Sequence, residues 1–159
     1  MATYTFCGNE MLSLYLCKSC HSVLGEGMSL CGHNENLTVI AFLRVTSDVN
    51  MSDTLEFGID DDLEGCAFNH LTCKGCDTLI GFNLYSATRP YTHLRGLFCL
   101  LKQHLLCYLI ESKTIIEGTQ LQFDFTQFIN GIRELKESLV RMYSRVDTLI
   151  CKAKTPKQP

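Results

Sequence analysis

The sequence predicts a mainly β body followed by one C-terminal α-helix of coiled-coil type. Three observations lead to this prediction: short apolar runs separated by turn residues, two CxxC pairs within those runs, and a heptad pattern of apolar residues after Gly118. A chain of 159 residues can form one domain with a proper core and a helical appendage. We divide it into a short flexible leader (1–11), a β domain (12–118), and a helix with a basic tail (119–159).

Strands are predicted where β-branched, aromatic and other apolar residues lie between turn residues. Val39, Ile40 and Phe42 illustrate this composition, and glycines punctuate the runs. The predicted strands cover residues 14–17, 37–45, 67–73, 78–85, 97–101 and 105–111.

The CxxC pairs are Cys17 with Cys20 and Cys73 with Cys76, and both follow a predicted strand. Four thiolates complete a closed tetrahedral site for one structural Zn²⁺, which leaves no open position for a catalytic water. Residues 21–72 must then fold back to bring the pairs together. Buried free thiols or two local disulfides are the alternatives, and His21 or the Cys31-Gly-His33 segment could replace one ligand.

The compartment and the classes of partner are constrained by composition. The N-terminal sequence lacks the basic start and apolar run of a signal peptide, so we expect a reducing compartment, and no run suits a membrane span. Residues 1–124 hold 7 basic and 14 acidic residues, a net charge of −7, whereas residues 125–159 hold 7 and 3, a net charge of +4. The acidic body is a poor ligand for nucleic acid, and the basic helix is more simply a solvated face.

The C-terminal segment carries a continuous a/d heptad seam, which favours another helix as its partner. Asp124 is the predicted N-cap, with Gln127 in the reciprocal capping position, and Pro156 lies beyond the end of the helix. Gly131 weakens an isolated helix, so we expect burial against a partner to stabilise it. The seam consists of Phe125, Phe128, Ile132, Leu135, Leu139, Met142, Val146 and Leu149.

Four segments together resemble the Yippee/Mis18 zinc-domain family over about residues 12–118. They are Tyr15-Leu-Cys-Lys-Ser-Cys-His-Ser-Val-Leu-Gly25, Cys73-Lys-Gly-Cys-Asp-Thr-Leu-Ile-Gly-Phe-Asn-Leu-Tyr-Ser86, Leu94-Arg-Gly-Leu-Phe-Cys-Leu100 and Cys107-Tyr-Leu-Ile-Glu-Ser-Lys113. CxxC pairs alone are weakly diagnostic, but together with these flanking residues they are specific. The C-terminal helix also matches the family's layout.

The resemblance implies two antiparallel sheets that meet like a tent and are pinned by one zinc, with Cys17, Cys20, Cys73 and Cys76 as its ligands. It also implies a non-enzymatic role in the nucleus, at the centromere of the chromosome, where the Mis18 complex licenses deposition of the histone variant CENP-A after mitosis. The partners it implies are the Mis18 alpha subunit, the Mis18-binding protein and the histone chaperone HJURP. Contact with centromeric chromatin would be indirect.

Two other functions compete with this interpretation. Methionine sulfoxide reductases of the B type share the two-CxxC arrangement, with Cys99 or Cys107 as an imaginable nucleophile, but both cysteines lie in apolar runs rather than in the exposed setting that a reactive thiol needs. A pocket for a peptide or small ligand is the other alternative, since related tent folds bind ligands in aromatic cages. Its candidate walls are Phe82, Tyr85, Tyr91 and Phe98.

Overall fold

The computed structural model of the chain describes residues 4–7, 12–59, 62–124 and 126–154. The chain separates into two compact units, Met1–Phe123 and Asp124–Pro159. The first is built from β-strands and the second contains the helix. No helix among the described residues is both long enough and apolar enough to span a bilayer.

Twelve strands are present in the described part of the chain. They are β1 (Tyr4–Cys7), β2 (Ser13–Cys17), β3 (Val23–Glu26), β4 (Leu30–Asn34), β5 (Val39–Phe42), β6 (Val49–Phe57), β7 (Ala67–Cys73), β8 (Leu79–Ser86), β9 (Phe98–Leu101), β10 (Leu105–Leu109), β11 (Thr114–Glu117) and β12 (Leu121–Asp124). The six predicted strands correspond to β2, β5, β7, β8, β9 and β10. Strand β1 lies inside the predicted leader, whose flexibility stays a prediction.

Two antiparallel sheets form the body, which confirms the predicted fold class. One has four strands in the order β11-β10-β2-β3, and the other has six in the order β4-β5-β9-β8-β7-β6. A further two-stranded sheet pairs β1 with β12. The chain passes from the four-stranded to the six-stranded sheet between β3 and β4, through a short 3-10 turn.

The core lies on both faces of the six-stranded sheet because successive side chains of a strand point to opposite faces. In β5, Ile40 and Phe42 join one buried cluster, whereas Val39 and Ala41 join another. The first cluster also takes residues from the four-stranded sheet, among them Tyr15, whose ring meets that of Phe42 edge to face at 4.8 Å. The four-stranded sheet therefore packs against one face of the larger sheet.

The second unit is the single helix α1 (Thr126–Lys154). The backbone N–H of Thr126 donates to Oδ1 of Asp124 at 2.8 Å, which confirms the predicted cap. Phe125, the side chain of Gln127 and Pro156 lie outside the described residues. Hydrogen bonding from Thr126, through its hydroxyl and its backbone N–H, lowers the pKa of Asp124.

Candidate metal centre and interaction surfaces

The two CxxC pairs meet where the two sheets come together. Cys17 is the last residue of β2 in the four-stranded sheet, and Cys73 is the last residue of β7 in the six-stranded sheet. Their four Sγ atoms lie within 4.8 Å of one another. The shortest separations join different pairs, with Cys17 and Cys76 at 3.6 Å and Cys20 and Cys73 at 3.4 Å. The fold thus brings together the four predicted ligands.

The geometry of the sulfurs fits a metal ion better than disulfides. Tetrahedral zinc with bonds of about 2.3 Å to sulfur spaces its ligands about 3.8 Å apart, close to the separations seen here. A disulfide requires about 2.05 Å, and all four cysteines are free in the structure. Among the described residues, the group of side chains that could hold a metal contains only these four cysteines, without His21, Cys31 or His33. The residues present therefore suit a Zn²⁺ ion.

The two knuckles, residues 17–22 and 73–78, have the same backbone hydrogen bonds. In the first, the N–H of Cys17 donates to Ser22 O at 2.8 Å and that of His21 to Cys17 O at 2.9 Å. In the second, the N–H of Cys73 donates to Thr78 O at 3.0 Å and that of Asp77 to Cys73 O at 2.7 Å. Each turn therefore presents its two sulfurs in the same way.

Each knuckle also donates a backbone hydrogen bond to the residue that precedes a neighbouring strand. The N–H of Lys18 donates to His104 O at 2.9 Å, just before β10, and that of Lys74 donates to Asp48 O at 2.8 Å, just before β6. Each of these lysines follows the first cysteine of its pair. The two halves of the site thus repeat one local structure, C-K-x-C-x-[ST], which the sequence shows once its two copies are aligned.

Within each knuckle the two cysteines have different surroundings. Burial raises the pKa of Cys17 to about 12 and also raises that of Cys73. Hydrogen bonds from Ser22 lower the pKa of Cys20 to about 6, and hydrogen bonds from Thr78 lower that of Cys76. A metal ion would bind all four as thiolates, so it would offset the burial of the first cysteine in each pair.

Gly75 lies where the two knuckles approach each other. A Cβ atom at this position would lie 2.6 Å from Ser22 Oγ and 3.0 Å from Cys20 Sγ, both in the other knuckle. Real Cβ atoms essentially never come closer than 3.0 Å to another atom, so the Ser22 hydroxyl would have to move and the contact with Cys20 would be tight. The absence of a side chain at Gly75 therefore allows the second knuckle to reach the first.

The predicted pocket residues do not converge on one space. Phe82 belongs to the second buried cluster and Tyr91 packs against it, whereas Phe98 packs against the first cluster, on the other face of the sheet. Tyr85 is 69% exposed. The ligand pocket therefore stays a prediction, and the positions of these four aromatic residues do not support it.

The described seam residues of α1 are exposed, with Leu135 at 73% and Leu139 at 67%. Phe125 and the side chain of Phe128 lie outside the description. Further exposed apolar residues widen the stripe beyond the predicted seam, because Ile129, Tyr143 and Ile150 lie at the heptad position that follows d. The remaining described seam residues, all exposed, are Ile132, Met142, Val146 and Leu149.

A second apolar surface covers the outer face of the four-stranded sheet, and the sequence analysis missed it. Cross-strand pairs place Leu16 beside Leu106, and Leu14 and Ile115 on either side of Tyr108. All are half-buried except Ile115, which is 59% exposed. The sequence does contain evidence for this surface. Residues 14–17 and 105–109 are apolar at every position, a pattern typical of strands that are covered on both faces.

The candidate nucleophiles of the enzyme alternative are buried. Burial raises the pKa of Cys99 to about 12, the opposite of the shift that activates a catalytic thiol. Cys107 faces the first buried cluster, between the two sheets. Neither side chain is accessible to a substrate, since both are fully buried.

Comparison with known proteins identifies the family. The model of the family described as "Yippee zinc-binding/DNA-binding /Mis18, centromere assembly" matches residues 13–120. The chain belongs to the Yippee/Mis18 family. Its match covers the four-cysteine site and both large sheets, so family membership agrees with the metal-binding geometry.

Relatives and solved structures agree with this assignment. Protein Mis18-alpha of Homo sapiens is 24% identical over 131 residues, covering 81% of this chain and 54% of the relative. Kinetochore protein mis18 of Schizosaccharomyces pombe is 27% identical over 139 residues, covering 85% and 69%. The chain thus spans about half the length of most of the Mis18-alpha relatives it matches.

The solved structures support the fold alone, given their low identity. The crystal structure of a Mis18 Yippee-like domain aligns with a TM-score of 0.56 at 20% identity, covering 60% of this chain and 94% of that one. The C-terminal domain of Dicer-related helicase 3 from Caenorhabditis elegans, solved with a 5'-triphosphate RNA, aligns with a TM-score of 0.51 at 11% identity, covering 74% and 70%.

Proposed function

We propose that the chain is a non-enzymatic assembly subunit, the beta subunit of a Mis18 complex, which acts in the nucleus at the centromere and supports deposition of CENP-A. One Zn²⁺ bound by Cys17, Cys20, Cys73 and Cys76 holds its two sheets together. Its partners are the Mis18 alpha subunit, the Mis18-binding protein and the chaperone HJURP, and its link to centromeric chromatin is indirect. The observation that carries this proposal is the exposed apolar seam of α1.

The seam favours assembly because a lone helix would leave it in water. Leu135, Leu139 and Leu149 are each more than 60% exposed, and burying a leucine side chain contributes about 1.5–3 kcal/mol. The extra apolar positions at Ile129, Tyr143 and Ile150 broaden the stripe, as in helices that face more than one neighbour. A helical partner, supplied by the alpha subunit, would cover this surface.

The outer face of the four-stranded sheet is the proposed contact of the zinc domain. Leu14, Leu16, Leu106, Tyr108 and Ile115 form a continuous apolar patch on adjacent strands. The pair of Lys18 and Glu117, at 3.2 Å, borders this patch. An apolar centre with a polar rim is typical of protein interfaces. The zinc domain would therefore pair with the corresponding domain of the alpha subunit.

Mass measurement of the full chain mixed with the alpha subunit tests the proposal. Deleting residues 125–159 should abolish stable assembly while zinc remains bound. Replacing Leu16 and Leu106 with glutamate should weaken the zinc-domain contact, whereas Asp53→Lys, at an exposed acidic site on β6 of the other sheet, serves as the control. Normal assembly of the truncated chain would contradict the role of the helix.

A reductase-like enzyme remains the alternative function, and an activity assay separates the two. We expect no turnover of methionine sulfoxide by the purified chain, because the thiols of Cys99 and Cys107 are buried. Turnover that is lost in a Cys99→Ala or Cys107→Ala variant would overturn the assembly proposal.

A further inference from the structure

The second cysteine of each knuckle has a hydroxyl group beside its sulfur. Cys20 Sγ lies 3.2 Å from Ser22 Oγ, and Cys76 Sγ lies 3.2 Å from Thr78 Oγ1. Both hydroxyl residues follow their cysteine by two positions. We propose that Ser22 and Thr78 are positioning residues of the metal centre: once Cys20 and Cys76 are bound as thiolates, which can only accept hydrogen bonds, the two hydroxyls donate to them and set the affinity for zinc. This inference rests on the proposed zinc site.

The first and the second cysteine of each knuckle are held in place by different interactions. Cys17 and Cys73 end buried strands, so packing in the first core cluster fixes their side chains. Cys20 and Cys76 lie in the turns and only pack half-buried against the edge of the same cluster, so packing constrains their sulfurs less. A hydroxyl hydrogen bond supplies the remaining constraint, and outer partners of this kind orient metal ligands and tune the metal.

The hydroxyl residues are themselves held in place by the backbone. The carbonyl of Ser22 accepts from the N–H of Cys17 at 2.8 Å, and that of Thr78 accepts from the N–H of Cys73 at 3.0 Å. Each residue thus bonds to the first cysteine through its backbone and lies against the second through its side chain. One residue therefore fixes the spacing of both sulfurs in its knuckle.

Ser22 has an additional contact across the site. Its Oγ lies beside Gly75 of the other knuckle, so close that a Cβ there would be 2.6 Å away. Ser22 occupies the space that a side chain at Gly75 would need. We therefore expect the loss of the Ser22 hydroxyl to affect the metal centre more than the loss of the Thr78 hydroxyl.

The experiment measures Zn²⁺ affinity of the full chain by competition with a chelator, and records the cobalt(II)-loaded protein by absorption. Ser22→Ala and Thr78→Val remove the hydroxyls, whereas Ser22→Thr and Thr78→Ser retain them. Ser19→Ala is the matched control, since Ser19 is an exposed serine in the same turn. We expect Ser22→Ala and Thr78→Val to lower affinity about tenfold and to shift the sulfur-to-cobalt charge-transfer band.

The hydroxyl-retaining variants should keep both the affinity and the band position, which a loss of packing alone would not predict. Affinity within twofold of the wild-type value in Ser22→Ala and Thr78→Val would overturn the positioning role while leaving the zinc site intact. A wild-type chain that binds neither zinc nor cobalt would instead overturn the proposed zinc function. The two failures are therefore distinguishable.

Discussion

His21 and Asp77 occupy equivalent places in the two knuckles, each directly after the second cysteine and each with a left-handed backbone, at φ of 62° and 56°. This conformation lets the chain reverse so that the following Ser22 and Thr78 return to the first cysteine. A non-glycine residue rarely adopts it. The two positions therefore carry the strain of the turns.

Substitutions at these two positions should depend on the backbone rather than on the lost side chain. We expect His21→Val and Asp77→Val to destabilise the domain by about 1–2 kcal/mol each, because β-branched residues tolerate the left-handed region poorly. His21→Gly and Asp77→Gly should be tolerated. Denaturant unfolding measures these differences, with Lys74→Val as a control outside the left-handed region. Equal stability of the valine and glycine variants would contradict this assignment.

Gly75→Ala should damage the metal centre through a steric clash. The added Cβ would meet Ser22 Oγ at 2.6 Å and Cys20 Sγ at 3.0 Å, so the Ser22 hydroxyl would have to move and the Cys20 sulfur would be pushed from its place in the site. We expect a lower zinc affinity and a lower melting temperature. Adding Ser22→Gly should lower the melting temperature less in the Gly75→Ala variant than in the wild type, because in the variant it also removes one clashing atom. Gly32→Ala, whose Cβ would meet nothing within 4 Å, is the matched control.

The start of α1 should depend on pH through Asp124. Its folded pKa is lowered, so the stabilisation is present above the unfolded pKa of about 3.9 and is lost as pH falls through the folded value. Circular dichroism of the full chain at low pH should show fraying of the helix start in the wild type. Asp124→Asn should retain the cap and lose this pH dependence, whereas Asp124→Ala should fray at neutral pH as well.

The helix seam should be separable from the zinc domain. Replacing Leu135 and Leu139 with glutamine should disrupt association with the alpha subunit, because both side chains are exposed in the single chain and contribute no packing to it. Zinc content and melting of the domain should stay unchanged. Arg133→Gln with Glu137→Gln, which alters exposed residues outside the seam, is the control. Loss of zinc together with assembly would argue against two independent modules.

The sequence was sufficient to predict which four cysteines come together, because CxxC pairs at strand ends reflect local chemistry. It also predicted the helix, whose heptad period extends over many turns. Strand β6 was missed because it is an edge strand with mostly exposed residues, including Asp53 and Glu56, so it lacks an alternating apolar pattern. The runs that form β2 and β10 are apolar at every position, but the sequence does not show that they are neighbours: their pairing brings together residues about 90 positions apart, at Leu16 and Leu106.

The role of Gly75 could be recognised only in part from its position between two cysteines. Its contact with Ser22 joins residues from separate knuckles, and only the packing of the two sheets brings these together. The aligned repeat shows a hydroxyl residue, Ser22 or Thr78, at the same place in each knuckle. A role for these hydroxyls could be inferred only from their distances to the sulfurs of Cys20 and Cys76.

In the proposed structure of the holoprotein, one zinc ion bound by four cysteines joins the two sheets. Native mass spectrometry of the full chain, purified without chelator, tests it most directly when the wild type is compared with Cys73→Ser. We predict one Zn²⁺ per wild-type chain, and loss of both zinc and cooperative melting in the variant, since the energy of structural zinc binding contributes directly to folding. A Cys73→Ser protein that retained its zinc and melted normally would contradict the assignment.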